Sequence, residues 1–438
     1  MKRFIETIKN IFSIEELRTR ILNTLLFIAI FRLGSYVALP GVDPSRLDVA
    51  TDGLLGLLDV FSGGAFSKAS IFALGIMPYI SASIAIQLLT MAMPYFQKMQ
   101  KEGESGRKKL NQITRVLTIF VTIAQSLTYL NTTVPADALL VSRLQFTIIA
   151  VIVLTAGTMF CMWLGERITD KGIGNGISML IMIGIVSRFP AAILQELDSR
   201  GGGGVLLFVL TRVALYFVVM GAVVLTRAVR KIPIQYAKQV VGSRGAAVGQ
   251  RQYLPLKVNA AGVMPIIFAQ ALMFVPSTVA SFFADRSDVA GSIAATFADY
   301  TSWEYNLLFG LLILVFTFFY TAISVNPVQI ADEMKRGGGF IPGVKPGKDT
   351  SDYISSVLDH ITFPGAVLLA MVAILPAIAS LFGVTSSFAQ FFGGTSLLIM
   401  VGVVLDTLQQ VESYLLMRRY EGLMKSGRVQ GRSAVLPA

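Results

Sequence analysis

The hexapeptide Gly75-Ile76-Met77-Pro78-Tyr79-Ile80 lies near the start of an uncharged apolar segment that runs from about Ala69 to Pro94. A second hexapeptide of the same form, Gly262-Val263-Met264-Pro265-Ile266-Ile267, opens another long apolar segment far downstream. Each copy has a glycine, a β-branched residue, methionine and proline, followed by isoleucine two places after the proline. The repeat is meaningful only if the two segments occupy matching places in two halves of the chain.

The composition places the chain in the membrane class. Of its 438 residues, 54% are hydrophobic and only 14% are charged, and the mean hydropathy is +0.67. A soluble globular domain of this length cannot bury so much apolar surface. Cys161 is the only cysteine and His360 the only histidine. This excludes a disulfide within the chain and cysteine-based metal sites, so we predict no metal and no cofactor.

Ten segments are long and apolar enough to cross a membrane as helices, since a span needs ~20 mostly apolar residues. The fifth is a weak candidate because it begins in a glycine-rich stretch, and Pro376 interrupts the ninth. The predicted spans are residues 21–40, 70–93, 112–131, 144–164, 173–190, 204–226, 260–283, 305–325, 361–383 and 393–416.

The distribution of lysine and arginine predicts the topology. Most of the 37 basic residues fall before the first span, after the last, and in every second loop between them. Both termini are therefore predicted to be cytoplasmic. Five spans in each half (21–190 and 191–416) would give the halves opposite orientations. The repeated hexapeptide then lies in the second span of each half, between an interfacial segment at 1–20 and a tail at 417–438.

Residues 54–68 are apolar but too short to span, and Asp59 and Ser62-Gly63-Gly64 interrupt them. Non-helical backbone at membrane depth is tolerated only where protein or a water-filled cavity surrounds it. The segment is therefore either a short half-helix folded back into a cavity, as a plug or filter, or a loop on the outer face. The composition leaves both interpretations open.

Polar side chains recur at helical spacing in two of the predicted spans. Ser83, Gln87 and Thr90 follow each other in the second span, and the third has the same spacing. Such faces usually mark helix–helix contact, although a separable polar seam has the same pattern. The third-span residues are Thr118, Thr122 and Gln125, and Gln270 lies in the seventh span.

Two long cytoplasmic loops are basic. Residues 227–259 contain seven lysines or arginines and no acidic residue, which predicts a basic hairpin able to contact anionic lipid, ribosomal RNA or an acidic protein. Residues 326–360 carry basic residues around a stretch rich in glycine and proline, for which we expect fixed turns rather than helix. Ordinary positive-inside charge remains the alternative for both loops.

Several motifs resemble the bacterial SecY family, and they occur in the family's order along nearly the whole chain. They are Phe61-Ser62-Gly63-Gly64-Ala65, Gly75 to Ile84, Lys101-Glu102-Gly103-Glu104-Ser105-Gly106-Arg107, Trp163-Leu164-Gly165-Glu166, Gly172 to Ser178, Leu254-Pro255-Leu256-Lys257-Val258-Asn259 and Gly393 to Ile399. The resemblance implies an all-α polytopic membrane protein, with ten transmembrane helices in two inverted five-helix halves around a central pore.

The resemblance also implies roles for individual residues. The pore ring is Ile76, Ile80, Ile177, Ile181, Ile267 and Ile399. The plug includes Leu57, Phe61, Gly63, Gly64 and Phe66. The lateral gate includes Ser83, Gln87, Thr122, Gln125 and Gln270. The docking positions for a motor or ribosome are Arg230, Lys231, Arg244, Lys257, Lys335, Arg336 and Lys345.

The implied function is a protein-conducting channel of the bacterial inner membrane that is not itself an enzyme. Its implied partners are SecE and SecG subunits, the SecA motor, the ribosome, nascent chains, anionic lipid, SecDF and YidC. One departure affects docking, because Lys345 stands where the family usually has arginine, and lysine lacks the bidentate fork. An inverted-repeat secondary transporter is the alternative, but no acidic or paired charges are obvious in mid-span.

Overall fold

Long helices dominate the part of the chain that the computed structural model describes, which is residues 12–43, 46–47, 59–199, 205–236, 252–270, 272–273, 296 and 299–425. In chain order the helices are α1 (Glu15–Gly34), α2 (Met77–Ala92), α3 (Pro94–Lys101), α4 (Glu104–Thr133), α5 (Arg143–Lys171), α6 (Gly176–Ser199), α7 (Val205–Arg227), α8 (Trp303–Ser324), α9 (Pro327–Arg336), α10 (Lys348–Leu381), α11 (Ser386–Ala389) and α12 (Gly394–Lys425). The strands are β1 (Val229–Tyr236), β2 (Gln252–Lys257) and β3 (Gly339–Phe340).

Within the described residues, seven helices are long and apolar enough to cross a membrane, and an eighth is counted if α2 and α3 form one bent span. Helix α1 covers most of the predicted first span but is charged at both ends, so it is not among them. The predicted seventh span is helical at 264–270, and most of its remainder lies outside the described residues. The polytopic all-α class is confirmed, whereas ten spans in inverted halves remain a prediction.

The second predicted span starts later than its apolar composition suggests. Residues 70–76 form turns, with Gly75 at φ 51°, and helix α2 begins only at Met77 with Pro78 in its first turn. Proline suits the first turn of a helix, because the backbone N–H groups there have no hydrogen-bond acceptor within the helix. The N–H that proline lacks is therefore not needed. Pro94 starts α3 in the same way, and the two helices meet at an angle of 103°.

The chain forms two compact units. The first unit comprises Met1–Thr51, Leu58–Arg188 and Val403–Ala438, and the second comprises Asp52–Leu57 and Phe189–Gly402. The core of the first unit is a cluster in which the Phe72 ring stacks on Phe31 at 6.0 Å and on Phe160 at 5.8 Å. The buried members of this cluster are Phe31, Phe72, Ile76, Cys161, Leu164, Ile168 and Leu180.

The basic loop at 227–259 forms the predicted hairpin, since β1 pairs antiparallel with β2 from Val229↔Lys257 to Ile234↔Gln252. Strand β3 pairs with the other edge of β1, so the order is β2-β1-β3. One face of the sheet packs on an apolar cluster of the second unit, with Ile232, Ile234 and Leu256 buried. Prolines stand in both long strands, with Pro233 opposite Tyr253 and Pro255 opposite Lys231.

The expectation of turns rather than helix for residues 326–360 is wrong for most of the loop. Helix α9 occupies Pro327–Arg336, and the Asn326 side chain caps it by accepting hydrogen bonds from the backbone N–H groups of Val328 (3.1 Å) and Gln329 (3.3 Å). Helix α10 then begins at Lys348 and continues through Pro376. Turns and β3 occupy only residues 337–347, where glycine and proline are concentrated.

Candidate functional site

Residues 59–66 of the interrupted segment before α2 are buried inside the first unit. Asp59 is only 2% exposed, Phe61 8% and Phe66 5%. Residues 59–62 form a single helical turn, and the chain then continues through turns to Ile76. This burial favours the segment folded back into protein over a loop on the outer face. Leu57 and the rest of the segment before residue 59 lie outside the described residues.

Local hydrogen bonds close the buried turn. The backbone N–H of Gly64 donates to the carbonyl oxygen of Asp59 at 2.9 Å, and the backbone N–H of Phe66 donates to Ser62 Oγ at 3.0 Å. Gly63 and Gly64 have φ values of 66° and 88°, a region that side chains other than glycine rarely adopt. The Ser-Gly-Gly sequence thus reverses the chain within a few residues.

Side chains from three helices hold this turn. Arg188 of α6 forms an ion pair with Asp59, and Arg32 of α1 donates from Nη1 to the carbonyl oxygen of Gly63 at 3.0 Å. Tyr129 of α4 donates its hydroxyl hydrogen to the carbonyl oxygen of Phe66 at 2.7 Å. Arg188 and Tyr129 were not among the predicted site residues, because a single sequence does not say which distant residues meet. The only available signal was Asp59, a carboxylate in an otherwise apolar stretch.

Four of the six predicted ring isoleucines belong to the first unit. Ile76, Ile80 and Ile181 line one small cavity, and Phe61 and Ser62 of the buried turn line the same cavity. Ile177 packs on the apolar core cluster of the unit. The structure therefore brings three ring positions and the plug segment together.

The other two ring isoleucines belong to the second unit. Ile267 is half-buried within the helical residues 264–270, and Ile399 is 4% exposed in α12. A single ring of all six isoleucines stays a prediction.

The gate residues of the first unit lie on α2 and α4, which pack against each other. Gln87 Nε2 donates to Ser83 Oγ at 3.4 Å, and Gln125 is half-buried. The fully buried Thr122 donates its hydroxyl hydrogen to the carbonyl oxygen of Thr118 in its own helix at 2.6 Å. Because the Thr122 hydroxyl donates within α4, it does not donate a hydrogen bond to α2. This supports the reading of close helix packing.

Gln270, the gate residue of the second unit, lines a cavity of about 40 Å³. The cavity wall includes Tyr300, Asn306 and Gln390, so its lining is partly polar. Gln390 is 4% exposed, and its Oε1 has no hydrogen-bond partner in the part of the chain that the structure describes. A cavity of this size and polarity can hold a few water molecules.

The docking cations lie at the exposed surface of the hairpin and of the loop beside it. Arg230, Lys231 and Lys257 are exposed on β1 and β2. Lys335, Arg336 and Lys345 are exposed near β3, and the pairing of β3 with β1 joins the two basic loops in one sheet. Arg244 lies outside the described residues.

Among the described residues, no group of three or more histidine, cysteine, aspartate or glutamate side chains could hold a metal ion. A set of membrane-length helices with a re-entrant segment buried among them, next to isoleucines that line a cavity, defines a polytopic membrane protein of the channel type. The family model described as SecY matches residues 70–408. The chain belongs to the SecY family.

Relatives of similar length support the assignment along the whole chain. The protein translocase subunit SecY of Halalkalibacterium halodurans is 44% identical over 431 residues, covering 96% of this chain and 99% of the relative. The SecY subunit of Chlamydia muridarum is 41% identical over 457 residues, covering 97% and 99%. These relatives are protein translocase subunits.

Solved structures share the fold at low sequence identity. A structure described as that of a protein-conducting channel has a TM-score of 0.63 at 15% identity, covering 96% of this chain and 95% of the other. A canine ribosome–channel complex containing Sec61 has a TM-score of 0.60 at 14% identity, with the same coverage. A structure whose description concerns the plug domain of SecY has a TM-score of 0.58 at 15% identity, again over 96% and 95%.

Proposed function

We propose that this chain is the channel-forming subunit of a protein translocase. It passes unfolded secretory polypeptides across the membrane and releases transmembrane segments sideways into lipid. The observation that carries the proposal is the shared cavity of the first unit, where Ile76, Ile80 and Ile181 meet Phe61 of the buried turn. The contact supports the proposal because it puts a buried turn beside the isoleucines, which is where a plug would close a narrow pore.

The seal works through apolar side chains. A narrow ring of isoleucines blocks ions because water leaves an apolar constriction, yet it binds no passing chain tightly. The ring consists of Ile76, Ile80, Ile177, Ile181, Ile267 and Ile399. The plug, residues 57–68 with Phe61, Gly63, Gly64 and Phe66, packs against the ring in the idle channel and leaves it when a chain enters.

The lateral gate is the seam at which apolar signal sequences and membrane helices reach lipid. Ser83 and Gln87 of α2, Thr122 and Gln125 of α4, and Gln270 of the seventh span lie along it. Polar side chains suit a seam that opens, because a hydrogen bond between membrane helices contributes only about 0.6 kcal/mol on average.

The exposed cations of the two basic loops dock the partners that drive transport. Arg230, Lys231 and Lys257 of the hairpin, with Lys335, Arg336 and Lys345 near β3, present positive charge that no acidic residue on β1 or β2 offsets. Arg244, which lies between β1 and β2 in the sequence, adds to this proposed set. Such a surface fits the SecA motor, ribosomal RNA or anionic lipid headgroups.

The chain itself is not an enzyme in this proposal, since ATP hydrolysis or translation by its partners supplies the driving force. It resides in the bacterial inner membrane with both termini in the cytoplasm, as its basic loops indicate. SecE and SecG complete the heterotrimer, and SecDF and YidC assist it.

Crosslinking tests the proposal. A secretory chain stalled during transport is probed with a photoreactive amino acid placed at position 76, 80 or 267 of the channel. Crosslinks from all three positions are expected, and a probe at Ile148, which is 56% exposed on α5, serves as the matched control. Crosslinks from position 148 alone would contradict a central pore.

A further inference from the structure

The buried turn at residues 59–67 begins with a buried charge, that of Asp59. The Asp59 side chain is 3% exposed, and Arg188 of α6, its ion-pair partner, is 32% exposed. A carboxylate at such depth requires compensation, because removing an ion from water costs several kcal/mol. The pair is therefore unequal, with Asp59 enclosed in protein and Arg188 partly exposed.

Both members of the pair also bind the far end of the turn. Asp59 Oδ1 accepts a hydrogen bond from the backbone N–H of Ser67 at 2.8 Å. Arg188 Nη2 donates to Ser67 Oγ at 3.1 Å. A side chain added at Gly64 would start 3.1 Å from the guanidinium carbon of Arg188. Arg188 thus contacts the first residue, the middle and the last residue of the turn.

The face of α6 that carries Arg188 packs closely on Gly63 of the turn. A Cβ atom added at Gly63 would lie 2.9 Å from the Cα atom of Gly184, one helical turn before Arg188. Arg32 binds the carbonyl oxygen of Gly63 from α1, so a second cation faces this site. Lys68 is directed to the ring of Tyr36 at 3.9 Å instead. The only carboxylate among these contacts is Asp59.

We propose that Arg188 is a positioning residue that clamps residues 59–67 in the sealed position through Asp59 and Ser67. The inference rests on the proposed plug function and adds the element that sets how readily the plug leaves. Opening the clamp exposes Asp59 to water or leaves it unpaired in protein. The resting channel therefore stays closed until an arriving chain displaces the turn.

The unequal burial predicts an unequal response to mutation. Arg188→Gln removes the cation and leaves Asp59 buried without its charge partner, which is the costlier change. Asp59→Asn removes the buried charge and leaves Arg188 able to turn toward water, which costs less. The double variant, Asp59→Asn with Arg188→Gln, has neither charge. Its plug is therefore expected to open less often than the plug of Arg188→Gln alone.

The test measures how often the turn opens in the intact channel. Val60→Cys places a thiol in the turn at an 8% exposed position. The native Cys161 is fully buried, so background labelling of Cys161 is low. Vesicles containing the full translocase are treated with a water-soluble maleimide. Labelling is expected to be about tenfold faster in Arg188→Gln, two- to threefold faster in Asp59→Asn, and close to the latter rate in the double variant.

Asp43→Asn and Arg46→Gln are the control changes, because this ion pair of the same unit is exposed at 31% and 65% and spans 3.5 Å. They are expected to leave labelling unchanged. Labelling of Arg188→Gln at the wild-type rate, or of the double variant at the Arg188→Gln rate, would overturn the clamp. Transport of a preprotein into the same vesicles is assayed separately. Wild-type vesicles that fail to transport would refute the proposed function whatever the labelling shows.

Discussion

The hydroxyl group of Tyr129 donates a hydrogen bond to the backbone carbonyl oxygen of Phe66 over 2.7 Å, and the two rings meet edge to face with their centroids 4.7 Å apart. Tyr129 is 3% exposed, so water cannot easily replace this bond. The contact joins the transmembrane helix α4 to the buried turn at the peptide group between Phe66 and Ser67, whose N–H donates to Asp59 Oδ1.

Tyr129→Phe is expected to lower the free energy of unfolding by about 1–2 kcal/mol, because the ring contact remains while a buried carbonyl oxygen loses its donor. Thermal unfolding in detergent measures the change. Tyr216→Phe is the control, since Tyr216 is 67% exposed on α7, and it should have no measurable effect. Equal effects of the two variants would show that the Phe66 contact contributes nothing.

Gly157→Ala is expected to destabilise the first unit by about 2 kcal/mol or more, because overpacking a tight contact strains the backbone. A Cβ atom at this position in α5 would overlap the backbone carbonyl oxygen of Ile71 and lie 3.2 Å from the Phe72 ring. Gly221→Ala in α7 has nothing within 4 Å, so it should be neutral or slightly stabilising. Unfolding midpoints of the two helical glycine variants, compared directly, decide the matter.

Glu196→Ala is expected to destabilise the second unit by ~2–4 kcal/mol, since it leaves buried donors without their acceptor. Glu196 is fully buried, and its Oε2 accepts from the backbone N–H of Thr385 at 2.8 Å and from Thr385 Oγ1 at 2.5 Å, just before α11. Glu196→Gln keeps an acceptor oxygen and should cost less. Asp198→Ala, at an exposed neighbouring position, controls for the loss of a charge, and a similar loss there would contradict the assignment.

Ile80→Gly and Ile267→Gly are expected to raise the ion leak of reconstituted idle channels several-fold, because a wider constriction stays wet. Glycine also weakens a helix by about 1 kcal/mol. Ile148→Gly, on the exposed side of α5, therefore serves as the control and should not leak. A leak that stays at the wild-type level in both ring variants would argue against the isoleucine seal.

Charge reversal at Arg230 and Lys257 is expected to weaken binding of SecA or of ribosomes about tenfold at low salt, and less at high salt, where exposed charges are screened. Arg46→Glu, a reversal at an exposed position of the first unit, is the control. Binding is measured by cosedimentation over a series of salt concentrations. Unchanged affinity would show that Arg230 and Lys257 only set the topology of the chain in the membrane.

Much of the fold could be predicted from the sequence, because the length of each apolar segment and the charge of each loop are local properties of the sequence. The paired strands of the hairpin agree with the basic loop predicted at 227–259. Helix α9 was not predicted although Asn326-Pro327 is a helix-start signal, because the glycines that follow Arg336 favour turns. The contacts of the buried turn could not be predicted, since Asp59 and Arg188 are far apart in sequence and meet only through packing.

The prolines of the hairpin have a consequence for a protein proposed to handle unfolded chains. Strand β2 lies at the end of the sheet, and an open edge invites an extended polypeptide to add as a further strand. Pro255 has no N–H to offer, and the exposed Lys257 follows it in the same short strand. The edge is thus a poor template for strand addition. A conduit whose cargo is unfolded protein can in this way present a β-sheet without becoming a seed for aggregation.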